Sequence, residues 1–496
     1  MRVNITHRIK SMKYATLSNF IKGGDRNCDG QYIDVFSPLN GDVISKVPLS
    51  SADVVNAAVA GAKQAFPIWA EQPIKERAQV FYRYRNLLEK HFEELAALIS
   101  EENGKTIDES RAEISVSIEL AEFATSLPQL CVGEINEVSR GVACRSERHP
   151  LGVVASITPF NFPNMVPNWT VPNAITSGNT MILKPSEQVP LSGNRIAELL
   201  SDAGLPEGVF NVVHGGREAV ESICDHPGID AVSFVGSTKV AKIVYRRATG
   251  NFKRVLCLGG AKNHLIVLPD ANEEMTASNV AASMTGCAGQ RCMAASAMVA
   301  VGNVDSIIDR LCEETKKIIP GENLGAVISK QAKERIEGYI TEAEAEGASI
   351  LVDGRSARVR DKENGFYVGP TVIDHVTPEM KIAKEEVFGP VLSILRASTL
   401  DEALRIENSS VYGNAASVFT QSGGLANYVA ERASAGMIGV NIGVPVPREP
   451  FSFGGWNESK YGHGDITGRS GVDFWTNLKK VTARWPESVE TWKKYF

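Results

Sequence analysis

A chain of 496 residues is too long for a single ordinary core, so two or three lobes are expected. With 43% hydrophobic and 22% charged residues it has the make-up of a soluble globular protein, and no apolar run reaches membrane-spanning length. A net charge of −6 gives no basic stripe for broad nucleic-acid binding, and eight cysteines without a CxxC pair or regular framework read as free thiols in a reducing compartment.

The opening MRVNITHRIKSMKYA is basic, free of acidic residues and without a long apolar stretch. It reads as a loose extension or as residues upstream of a start at Met12, with an organelle-targeting segment as the alternative; it does not read as a secretory signal. Residues 31–47 read as two short strands around a turn at Asn40-Gly41. Helices follow over 51–70, 75–103 and about 107–126, with Ser51 and Asp53 as caps for the first and Ile114, Ile118 and Ala121 on one face of the last. From residue 150 strands alternate with helices. Apolar runs at 151–157, 181–183, 209–213, 231–235 and 255–258 are interleaved with helical segments at about 165–178, 191–203 and 238–248. Such alternation implies right-handed crossovers and a parallel sheet. It returns with a strand at 265–268, a helix at 273–290, a strand at 295–301 and a helix at 304–319. Strand-like runs near 349–352, 391–395, 415–419 and 437–440 complete a second α/β lobe from about 260. Residues 474–484 read as one more strand, pairing outside its own lobe.

Four strings at element boundaries suit chemistry. In GCAGQRCMAAS (286–296) a helix gives way to a strand, and Gly286 and Gly289 permit sharp turns around Cys292. Arg291 beside it is the kind of cation that favours a thiolate. An inert core thiol explains the same residue, and Cys287 competes as nucleophile. Asn161 in TPFNFP stands at the carboxyl end of a strand, where open α/β sheets bind ligands, and a fixed amide donor suits an oxyanion; a turn asparagine between prolines gives the same string. Lys184 and Glu187 in LKPSE suit the hydroxyls of a ribose, or form a solvated charge pair. FVGST (234–238) opens a helix whose amides suit a pyrophosphate, although a plain serine cap reads alike. No GxGxxG follows the first strand of this lobe, so the ordinary dinucleotide fingerprint is absent.

In order and spacing, TPFNFP (158–163), LKPSE (183–187), FVGST (234–238), LGG (258–260), GQRC (289–292), EEVFGPV (385–391) and a tail with FGG, TGRSGV and FWTNLK (453–479) resemble the aldehyde dehydrogenase superfamily along nearly the whole chain. The resemblance implies an α/β, aldehyde dehydrogenase-like fold with two Rossmann-type parallel-sheet lobes and a small β oligomerisation extension. An NAD-binding domain would span 1–130 and 151–258, and a catalytic domain 259–447. The extension, from 131–150 and 470–496, would build a homodimer or homotetramer. Cys292 would attack the carbonyl of a small-molecule aldehyde, with Asn161 and the Cys292 amide on the oxyanion. Thr158, Phe160, Lys184, Glu187, Gln188, Ser237, Gly259, Glu386 and Phe388 would line the NAD site. Within it, Lys184 and Glu187 would meet the adenosine ribose, Ser237 the pyrophosphate, Glu386 the nicotinamide ribose and Phe388 the ring. A Glu at 187 favours NAD over NADP, because a carboxylate repels a 2′-phosphate. No metal, membrane or nucleic acid is implied, and a cytoplasmic location is.

Most hydrolytic relatives carry ELGG, whose Glu activates the deacylating water; the string here is Cys257-Leu258-Gly259-Gly260. A thiol is a poor base near neutral pH, so the thioester is expected to await a better nucleophile, coenzyme A. GAKNH (260–264), QRCMA (290–294) and PFNFPNMVPNW (159–169) resemble the methylmalonate-semialdehyde dehydrogenase branch, which makes acyl-CoA. Arg291 matches an arginine that this branch turns towards the substrate carboxylate. A second arginine expected near 116 is replaced by Val116, and Arg111 points elsewhere on the helix; the loss weakens carboxylate binding by roughly 1.5–3 kcal/mol. A hydrolytic NAD-dependent dehydrogenase and a cofactor-binding protein without turnover are the alternatives.

Overall fold

The computed structural model describes residues 12–26 and 30–485. Most of the basic opening segment, Cys28 and the end of the expected oligomerisation extension (486–496) lie outside the described residues.

Strands buried on both faces build the first sheet, which is why they read as continuous apolar runs. At its centre five parallel strands lie in the order Phe210–Val212, Thr180–Lys184, Val153–Ile157, Ala231–Val235, Arg254–Leu258. The chain starts in the middle, winds out to one side, then returns to wind out on the other. The direction reverses between Val153–Ile157 and Ala231–Val235, where such sheets open a ligand crevice at the strands' carboxyl ends. Side chains alternate across the sheet: Leu256 and Leu258 enter the core on one face, Val255 and Cys257 the core on the other. Short antiparallel strands, Asn19–Ile21 with Gly24–Arg26 on one edge and Lys460–Tyr461 on the other, cover the edges.

Residues 259–262 lead from the carboxyl end of this sheet into the amino end of a second, of seven strands. Its order is Ser349–Val352, Thr371–Asp374, Val391–Ala397, Ala295–Val301, Asn263–Val267, Ala415–Phe419, Met437–Val440, parallel except for the first. A third sheet, wholly antiparallel, joins Thr476–Arg484 to Val142–Pro150 and Ile135–Ser139. The C-terminal strand thus pairs far from its neighbours in sequence, and Arg148 ties it down through Asp473 at 2.6 Å and the Thr476 hydroxyl at 3.1 Å.

Helices at Arg217–Asp225, Lys330–Ala345, Leu400–Asn408 and Gly423–Arg432 were not read from the sequence, and other elements depart from the reading. The helix expected over 75–103 is two, Ile74–Lys90 and Phe92–Asn103, parted at His91, whose φ of −101° is not helical. The helix expected over 273–290 stops at Thr285. Beyond it Cys287 and Ala288 take φ of +51° and +53°, and a side chain at Gly289 would strike the backbone of Gly389. Thr371–Asp374 is a strand of only four residues, too short to show a period. Gly468–Phe474 is helix, so the last strand begins at Thr476.

Candidate active site

Cys292 lies where the two large sheets face each other, just ahead of the strand Ala295–Val301. Two buried asparagines at the amino ends of neighbouring strands fix its backbone. Asn263 Nδ2 donates to the Cys292 carbonyl at 2.8 Å and to that of Ala294 at 2.9 Å, and Asn414 Nδ2 donates to the Cys292 carbonyl at 2.9 Å. The Asn263 side-chain oxygen accepts from the Ala415 amide, which closes the arrangement. The side chain itself is partly exposed and forms part of the wall of a cavity of about 210 Å³. Burial, and then the negative charge of Glu386, push its thiol up to about 12, against its own and the Met293 amides and Arg291, which draw it down. Arg291 therefore helps the thiolate less than its adjacency suggests. Its Nε donates to Cys287 Sγ at 3.3 Å and its Nη2 lies 3.6 Å from Glu109, so its charge is shared among several neighbours. Cys287 lines the same cavity.

Asn161 is buried behind the loop that carries Cys292. Its Nδ2 donates to the Gln290 carbonyl at 2.9 Å, two residues from the thiol, and the second hydrogen of that amide has no partner among the described residues. Its own carbonyl accepts from Lys105 Nζ at 2.8 Å. Lys105 is buried, 2.6 Å from Glu113 and 4.1 Å from the centre of the Phe162 ring. Glu113 in turn caps the helix Met165–Thr176 by accepting from the Asn164 and Met165 amides at 2.8 and 3.0 Å. This buried support of the asparagine left no signal in the sequence beyond an ordinary lysine in a loop and an ordinary glutamate on the helix that follows.

At the carboxyl ends of the first sheet the remaining residues converge. Thr158 is buried and its amide donates to the Lys184 carbonyl at 3.0 Å, joining adjacent strands. Buried Lys184 reaches the half-exposed Glu187 at 2.9 Å; burial would raise the Glu187 carboxyl, but the charge and hydrogen bond of Lys184 together hold it below the usual range. Gln188 is exposed, its amide turned back on Ser186 Oγ. Ser237, also exposed, stands at the N-cap of Thr238–Gly250 without capping it by its side chain, so the first amides of that helix are open to a ligand. Thr238 Oγ1 instead accepts from the Gly260 amide at 2.8 Å, a link the sequence did not suggest. Gly259 donates to the Ser459 carbonyl, and a side chain on it would strike Thr238 and Glu458. Glu386 accepts from the Ala261 amide at 3.1 Å, and burial pushes its carboxyl up to about 7. Phe388, at a φ of +52°, sets its ring edge-on to Phe160 with centres 5.8 Å apart. A helix terminus with open amides, a Lys–Glu pair and a second carboxylate form a donor and acceptor set that fits a dinucleotide. Glu386 is the member of this set whose charge reaches Cys292 on the cavity wall.

The position expected to lack a base is instructive. Cys257 is fully buried, and burial raises its thiol far above the ordinary range. Its side chain belongs to the core that holds Phe234, Val244 and Cys224, whereas Leu258 enters the core on the other face, which also holds Met293 and against which the Cys292 side chain packs. Neither residue on that stretch of strand offers a base to water beside Cys292. Val116 lines the cavity, as does Arg448, which pairs with Glu119 at 2.6 Å. Among the described residues no helix is long and apolar enough to cross a membrane.

The family model for the aldehyde dehydrogenase family matches residues 26–481. Malonate-semialdehyde dehydrogenase 1 of Geobacillus kaustophilus is 45% identical over 476 residues, covering 94% of this chain and 97% of the relative. The malonate-semialdehyde dehydrogenase of Pseudomonas aeruginosa is 43% identical over 481 residues, covering 95% and 97%. Among solved structures, the methylmalonate-semialdehyde dehydrogenase of Oceanimonas doudoroffii superposes with a TM-score of 0.95 at 42% identity, covering 96% of this chain and 100% of that one. A Sinorhizobium meliloti protein described as a methylmalonate-semialdehyde dehydrogenase, complexed with NAD, matches with the same TM-score of 0.95 and 42% identity, covering 97% and 100%.

Proposed function

The chain belongs to the aldehyde dehydrogenase family, and from that premise we propose that it oxidises an aldehyde with NAD through a thioester on Cys292 and passes the acyl group to coenzyme A. The observation that supports this reading is that Cys292 stands on a cavity wall within electrostatic reach of Glu386, which accepts from the Ala261 amide just beyond the last parallel strand of the first sheet.

Cys292 Sγ adds to the aldehyde carbonyl and forms the carbon–sulfur bond. The free hydrogen of the Asn161 amide and the Cys292 amide hold the oxygen as it gains charge. NAD, when bound, supplies the acceptor for the hydride that leaves the same carbon. Ser237 and the open amides behind it hold the pyrophosphate, Lys184 and Glu187 the adenosine ribose, and Glu386 the nicotinamide ribose. Thr158, Phe160, Gln188, Gly259 and Phe388 shape the walls. Glu187, kept charged by Lys184, opposes a 2′-phosphate. The product on the enzyme is an acyl thioester. With Cys257 packed away and Leu258 apolar, no carboxylate on that strand activates water against it. A CoA thiolate attacks the thioester carbonyl, the bond to Cys292 breaks, and the acyl-CoA leaves with the thiolate of Cys292 restored.

The named relatives act on malonate semialdehyde, and Arg291, on the cavity wall, is the residue kept for a substrate carboxylate. The domains we assign are 1–130 with 151–258 for NAD, 259–447 for catalysis, and 131–150 with 470–496 for assembly into a homodimer or homotetramer. We place the enzyme in the cytoplasm, where its thiols remain reduced. NADH formation in the steady state tests the reading. Turnover continues with CoA present and stops after about one equivalent without it. Sustained NADH and free acid without CoA would establish the hydrolytic alternative instead.

A further inference from the structure

Three of the four acidic side chains on the cavity wall are neutralised within the protein. Glu109 faces Arg291, Glu113 faces Lys105, and Glu119 faces Arg448. Glu449 is different. Its Oε1 accepts from the Gly468 amide at 3.1 Å, while its Oε2 is buried and has no hydrogen-bond partner. It is the only such carboxylate oxygen among the described residues. Leaving it so is costly, because a buried acceptor without a donor forfeits its hydration. The residue itself lines the cavity, and a small turn of the carboxylate about its last bond is soft. Trp169 and Phe453, with ring centres 4.6 Å apart, line the same space and give it an apolar and π-rich wall. A substrate fills such a site best if it offers a donor beyond an apolar stem.

We propose that Glu449 is a specificity residue whose carboxylate accepts a hydrogen bond from a donor, a hydroxyl or an ammonium group, on the end of the aldehyde remote from the carbonyl. This rests on Cys292 being the nucleophile, since both residues line one cavity. A carboxylate elsewhere on the same aldehyde can still use Arg291. Burial supports the assignment by pushing Glu449 up to about 7, against the Gly468 amide and the Thr467 hydroxyl. An ammonium would hold it charged, and a hydroxyl would satisfy it.

The test uses full-length enzyme with NAD and CoA and short aldehydes matched in length, ending in methyl, hydroxyl or ammonium, with malonate semialdehyde as reference. kcat and KM are measured for wild type, Glu449→Gln and Glu449→Ala. A donor-ended aldehyde is expected to exceed the methyl-ended one in kcat/KM by on the order of tenfold or more, mostly through KM. That ratio should collapse in Glu449→Ala. In Glu449→Gln the one amide oxygen stays with the Gly468 amide and the NH2 group faces the substrate, so the ratio should persist for a hydroxyl, which can accept, and fall for an ammonium, which cannot. Because the comparison is a ratio within each variant, a general loss of folded enzyme cancels. A wild-type ratio near one, or a ratio unchanged in Glu449→Ala, overturns the inference while turnover of malonate semialdehyde leaves the oxidation reading standing. If wild type oxidises none of the four, the oxidation reading fails and this inference with it.

Discussion

Replacing Lys105 with Met removes a cation from the interior and keeps the volume of its stem. The ammonium is 1% exposed, bonded to Glu113 at 2.6 Å and to the Asn161 carbonyl at 2.8 Å. Breaking a buried pair from one side typically costs about 3–5 kcal/mol, because the other charge remains behind. Here Glu113 keeps two backbone donors at a helix start, so a loss near the lower end, about 3 kcal/mol, is expected. It is read as a shift in the urea midpoint, converted with the m-value if the transition is single. Adding Glu113→Gln to Lys105→Met should recover much of the loss, giving a coupling on the order of 2 kcal/mol. The Asn161 carbonyl also loses its donor, so kcat should fall while NAD affinity holds. A single-mutant loss below about 1 kcal/mol, or strict additivity in the double mutant, would refute the claim that this pair braces the oxyanion site.

The other expectations concern the thiols and their surroundings. Cys292→Ala should abolish NADH formation with NAD still bound, as judged by calorimetry, and Cys287→Ala should stay active; the reverse result would transfer the role of nucleophile. Because the Glu386 charge raises the Cys292 thiol, Glu386→Gln should move the pH profile of its alkylation to lower pH, and an unmoved profile would mean the two groups do not interact. Cys257→Glu buries a carboxylate among apolar side chains, which should cost about 1–3 kcal/mol without raising CoA-independent turnover. Leu258→Glu, on the face shared with Cys292, is the change that should raise it; a gain from the Cys257 variant alone would show that the facing has been misjudged.

The parallel-sheet lobes were legible because strands buried on both faces are unbroken apolar runs, as in 151–157 and 295–301. Strings such as LKPSE and FVGST could be placed because each ends a strand whose neighbours set the crevice. What escaped the sequence was the pairing of groups distant along the chain. Lys105 sits in the loop ahead of the helix that carries Glu113, and nothing local says that the lysine reaches the backbone of Asn161. Asn263 and Asn414 are polar residues at strand starts, and their shared hold on the Cys292 carbonyl exists only once the strands lie side by side. Arg291 does draw the Cys292 thiol down, as its adjacency suggests, but its further contacts with Cys287 and Glu109 were not legible. The facing of Cys257 against Leu258 depends on strand alternation, where one residue decides the side of the sheet.

The most direct measurement is the mass of the peptide bearing Cys292 after enzyme, NAD and an oxidisable aldehyde are mixed without CoA and quenched in acid. An acyl group on that sulfur, formed in step with one equivalent of NADH and removed on adding CoA as acyl-CoA appears, is the predicted result. NADH accumulating with Cys292 unmodified, or an adduct that CoA leaves in place, would contradict the account.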